Sequence, residues 1–103
     1  MERLYASARS RAQAAGVAFT ITRADIRAVY PADGRCPALG VVMQQGVGRS
    51  TDRSPTLDRM NPMWGYEKSN IAVISLAANR AKGGMTAHDL EKIVHWMRAR
   101  GLA

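Results

Sequence analysis

The sequence predicts a small α+β domain with helices at both ends and short strands between them. Three observations point there. The first residues are rich in the helix formers Ala and Arg. Leu90, Ile93, Val94 and Met97 recur at helical spacing near the end. Between them, Ile71 to Ser75 is a β-branched apolar run entered from a turn-forming loop. A length of 103 residues fits one domain rather than two.

The elements follow in order. Glu2 to Ala15 reads as a basic helix carrying Arg3, Arg9 and Arg11, with Gly16 as its stop. Val17 to Thr22 is a short extended link. Thr22 and Asp25 have capping-box spacing, so a two-turn helix is expected to run to about Val29, broken by Pro31, Asp33 and Gly34. Pro37 bars a helix interior, and Val41 to Gln45 suit a strand. A polar connection from Gly46 to Pro55 would then return the chain to a partner strand at Thr56 to Met60. Asn61 to Asn70 is a loop, signalled by Asn61-Pro62 and Gly65, in which Trp64 is expected to pack inward. The run Ile71 to Ser75 is the next strand, and Leu76 to Lys82 a helix ended by Gly83 and Gly84. Thr86, with Asp89 at the reciprocal position, caps a last helix whose apolar stripe is expected in the core. His88 and His95 lie on that helix and read as surface or packing residues.

Fifteen basic residues against eight acidic ones give a net charge of +7. In so short a chain that balance favours a polyanionic partner, nucleic acid before membrane. Most of the cations are Arg, whose planar fork pairs with phosphate. No apolar run is long enough for a membrane span. The start lacks a signal-peptide core, and the single cysteine, Cys36, allows no internal disulfide. A reducing, cytoplasmic setting is the expectation.

Thr56 to Lys82 can be considered as chemistry. One strand delivers Asp58, and a helix after the next strand delivers Asn79. Together they can offer two oxygens to one Mg²⁺ or Mn²⁺ that keeps water and phosphate oxygens as its other ligands. Arg80 and Lys82 follow closely and can neutralise a phosphodiester in the transition state. Asn70 can tie the long loop by bonding its backbone. Singly, each has a plainer reading. Asp58-Arg59 could be a surface ion pair, Asn70 a turn residue and Asn79 a polar helix residue. Order and spacing together raise the functional reading.

The ordered set Leu57-Asp58-Arg59, Pro62, Gly65-Tyr66, Asn70, Ile71 to Ser75 and Ala78-Asn79-Arg80-Ala81-Lys82 resembles the HNH endonucleases, in particular their short phage-type members. "GVAFTIT" and "CPALG" upstream, and "MTAHDLEKIV" downstream, extend the resemblance over most of the chain. It implies a central ββα-metal finger over residues 36–84, a basic helical lead-in over 1–35 and an amphipathic helix over 85–103. It also implies metal-dependent hydrolysis of DNA phosphodiesters. Asp58 and Asn79 would hold one divalent ion, and Asn70 would shape the loop and help position the catalytic group. Arg59 stands where the family's general base usually stands. Arg59, Arg80, Lys82, Arg9 and Arg11 would contact the nucleic acid, expected to be double-stranded DNA.

Two departures matter. Many relatives bind a structural zinc through two Cys pairs; here the four positions read Cys36, Leu39, Ser75 and Ala78, so apolar packing, with the terminal helices as its source, is expected instead. Arg59 has no acceptor and stays charged, so it is no ordinary base. Losing base assistance is worth roughly 10²–10⁴ in rate, which leaves metal and charge stabilisation in place. A working nuclease is the leading expectation. A non-catalytic nucleic-acid binder on the same fold, and a phage protein-interaction factor, are the alternatives.

Overall fold

A computed structural model describes residues 2–103. Four helices and a two-stranded antiparallel sheet make up its regular structure. They are α1 (Glu2–Ala15), α2 (Arg23–Val29), β1 (Pro55–Arg59), β2 (Ile71–Ser75), α3 (Leu76–Lys82) and α4 (Ala87–Ala99). A 3-10 turn at Lys68–Asn70 leads into β2. This is the expected α+β class, with a ββα unit at its centre.

Local chemistry sets the helix ends. Thr22 caps α2 and Thr86 caps α4, each with a full capping box closed by Asp25 and Asp89. The Ser75 hydroxyl accepts from Ala78 N–H and starts α3 directly from the last residue of β2. Gly16, at φ 68°, lets the chain turn out of α1.

The core lies between α1, α2 and the hairpin. Leu4, Ala8 and Ala12 recur every four residues, so one face of α1 meets β1. Ile26 of α2 reaches β2, and Leu57 and Val73 face one another across the sheet. Tyr5, Phe19 and Tyr66 form an aromatic chain, edge-on at the first pair and tilted at the second, with centroids 5.3 and 5.6 Å apart, that ties α1 to the loop before β2.

Three expectations are corrected. Val41 to Gln45 forms no strand; it makes one isolated bridge, Arg35 with Val42, and β1 pairs with β2 instead. The backbone of Val41 and Met43 bonds to the nearby Gly34–Cys36 stretch, whereas Ile71–Ser75 pairs with β1 over five consecutive residues in register. The α4 stripe is not core: Ile93 and Val94 are exposed, and Leu90 and Met97 only half-buried. Amphipathic spacing forms the helix, but the Gly83-Gly84 exit carries it away from the hairpin. Of the terminal helices, α1 alone supplies core packing. Trp64 is exposed rather than packed inward.

Candidate active site

Strand and helix periodicities build one cleft. Period two puts Thr56 and Asp58 on the face of β1 that α3 covers, and three-residue spacing puts Asn79 and Lys82 on the facing side of α3. The contacts follow that geometry. Asn79 Nδ2 donates to Thr56 Oγ1 at 2.9 Å, and Lys82 Nζ donates to Asp58 Oδ1 at 3.2 Å and to the Arg59 carbonyl at 3.0 Å. The Thr56 hydroxyl in turn donates to Ile74 O. Thr56 thus holds the Asn79 amide nitrogen, which leaves the amide oxygen without a protein partner among the described residues, and Asn79 lines the cleft. Sequence reasoning missed Thr56; its alternation with Asp58 was the available signal.

The cleft has a volume of about 350 Å³. Its walls include Arg11, Asp58, Arg59, Tyr66, Asn79, Lys82, Gly83 and Gly84. Asp58 is only 7% exposed. Burial pushes its carboxyl above the ordinary value; the Lys82 ammonium and the Arg59 and Arg11 charges pull it down without cancelling the effect. The lining offers one carboxylate, from Asp58, and one amide, from Asn79. No cluster of three or more His, Cys, Asp or Glu exists among the described residues. Such a sparse hard-oxygen set fits Mg²⁺ or Mn²⁺, which retain water, and does not fit a closed cage.

The other expected site residues separate. Arg11 reaches from α1 to β1 and the loop before β2, donating to Leu57 O at 2.9 Å and to the Tyr66 hydroxyl at 3.3 Å. Arg9 lies on another face of α1, beside Glu2 and Arg23. Arg80 is exposed on α3, outside the cleft lining. Arg59 Nη1 donates to Pro62 O and Trp64 O, and its guanidinium lies 5.5 Å from the Tyr66 ring centre. Its charge is therefore engaged in holding the loop. His88 and His95 are exposed on α4 and are not in the cleft lining.

Asn70 is buried and spans the same loop. Its Nδ2 donates to Asn61 O and Gly65 O, and its Oδ1 accepts from Asn61 N–H. Tyr66 N–H donates to Ala18 O, which joins the loop to the α1–α2 link.

The positions that carry zinc-binding Cys pairs in many HNH proteins meet in space. The buried Cys36 sulfur accepts from Leu39 N–H at 3.4 Å and from Ser75 N–H at 3.3 Å. Burial pushes the thiol up, but bonds from Ser75, Leu39 and Ala38 outweigh it and leave the thiol below its ordinary value. Three of the four positions, Leu39, Ser75 and Ala78, bring no thiolate or imidazole.

No protein-family model and no curated protein matches the chain. A solved structure of PacI, a rare-cutting HNH restriction endonuclease, is similar to it: the TM-score is 0.66 at 20% identity. The likeness covers 98% of this chain and 81% of that one. The chain thus has an HNH-type ββα fold.

Proposed function

We propose that this chain is a metal-dependent DNA endonuclease that hydrolyses phosphodiester bonds. One observation carries the reading: β1 and α3 bring Asp58, Asn79 and Lys82 into a single cation-lined cleft. The HNH fold and the +7 charge support it.

Asp58 and Asn79 would hold one Mg²⁺ or Mn²⁺. When bound, that ion supplies Lewis-acid stabilisation of the charge developing on the phosphate. Lys82, released from Asp58, would donate to a non-bridging phosphate oxygen, and Arg11 would add charge from the opposite wall. Arg80 and Arg9 would contact more distant phosphates of duplex DNA. Arg59 donates only; it positions the loop rather than taking the proton from the attacking water. No structural zinc is assigned. The finer placement is a short phage-type HNH protein acting in the cytoplasm of a bacterial or phage-infected cell.

A second reading has its own observation. Lys82 occupies Asp58, and Arg59 stands at the position usual for a base, so the fold could grip DNA without cutting. Plasmid nicking separates the two. The purified protein is incubated with Mg²⁺, Mn²⁺ or EDTA, beside Asp58→Ala and Asn79→Ala. Metal-dependent nicking that both substitutions remove is expected. Binding without nicking in all three proteins would leave the binder.

A further inference from the structure

The loop between β1 and β2 exposes three large apolar side chains together. Met60 is 51% exposed, Met63 83% and Trp64 56%. Scattered apolar side chains on a surface are ordinary. These three are close in sequence, and Pro62, beside Met63, lines the cleft. Arg59, which also lines the cleft, holds the Trp64 carbonyl, so the loop that carries the three borders the cleft.

The loop that carries them is tied from both sides. Arg59 holds the carbonyls of Pro62 and Trp64, and Asn70 holds Asn61 and Gly65. Met63 N–H donates to Asn61 Oδ1, and Trp64 N–H to Asn61 O. An apolar tip fixed in this way loses little further freedom when it is buried against a ligand. Arg11 and Lys82 line the cleft that this loop borders, and their charge favours a polyanion as that ligand.

A polyanion with flat apolar faces is a nucleic acid. Met is among the side chains that wedge between base steps, and Trp stacks on bases. We propose that Met63 and Trp64 enter the base stack of bound DNA, with Trp64 stacking on a base at a weakened or unpaired step. This rests on the nucleic-acid reading above and deepens it. The substrate it selects is DNA that opens at low cost, such as a mismatched duplex, over fully paired DNA. Arg59 then acts as the residue that sets the wedge, which accounts for its place at the end of β1.

The test uses the full chain with Trp96→Phe, so that Trp64 is its one tryptophan, in EDTA so that DNA stays intact. Short duplexes with and without a central mismatch are titrated at several salt concentrations. Trp64 emission should be quenched on saturation. The mismatched duplex should bind more tightly by about 5- to 150-fold, the range for one stacked base. Adding Trp64→Ala should remove that preference and leave the salt dependence unchanged. Unchanged Trp64 emission, or an unaltered preference in Trp64→Ala, overturns the wedge while leaving cleavage of plasmid DNA intact. Absence of DNA binding even at low salt overturns the wedge and the nuclease reading together.

Discussion

Asp58 carries one oxygen on the Lys82 ammonium and is otherwise enclosed by the sheet and α3, so folding removes most of its hydration. Its carboxyl is raised by that burial. A carboxylate whose folded pKa exceeds the unfolded value adds stability below the unfolded pKa and loses it as pH rises through the folded one. Asp58→Asn in EDTA should therefore melt at or above the parent temperature at neutral pH. The gap should close as pH falls into the window just above the ordinary carboxylate value. A melt clearly below the parent at neutral pH would mean that the Lys82 pair outweighs burial. A melt at or above the parent would fit the proposed use of Asp58 as a cation ligand, since a buried carboxylate that costs stability is a candidate for function.

The hairpin and α3 act as one element, because their mutual orientation sets the cleft. The loop that joins the strands docks on the α1–α2 link through Gly65 and Tyr66. A Cβ on Gly65 would lie 2.5 Å from the Ala18 carbonyl oxygen, a backbone atom that cannot swing aside. Gly65→Ala should cost about 1–3 kcal/mol by overpacking, read as a lower melting temperature. It should also loosen the Asn70 bonds and shift Met63 and Trp64. An unchanged melt would show that the α1–α2 link gives way freely. The same element shows how much was legible locally. Capping boxes at Thr22 and Thr86, the Ile71–Ser75 strand and the α3 stop at Gly83 all rest on neighbours three or four residues away, and each forms as read.

The molecule is longer than its core requires. Its radius of gyration is 14.5 Å, against about 13 Å for a compact chain of this size. The difference fits α4, which leaves the hairpin after Gly83 and buries none of its side chains fully. Ending the chain at Gly84 should therefore change the melting temperature little and keep metal-dependent nicking. A large fall in melting temperature would show that α4 packs against the core in solution.

Residue chemistry over short spans decided the helices, the caps and the ordered set Asp58, Asn70, Asn79 and Lys82, because each depends on neighbours a few residues apart. Tertiary contacts decided the rest. Nothing near Arg11 announces that its guanidinium crosses to the Leu57 carbonyl 46 residues away. An apolar stripe makes a helix amphipathic without stating what covers it, and α4 keeps its stripe exposed. Trp64 is apolar enough to bury, yet Arg59 and Asn70 satisfy the loop backbone in a conformation that leaves the indole outside. Strand pairing, too, is a competition among distant segments, and β2 won β1 because its apolar run could match every residue of it.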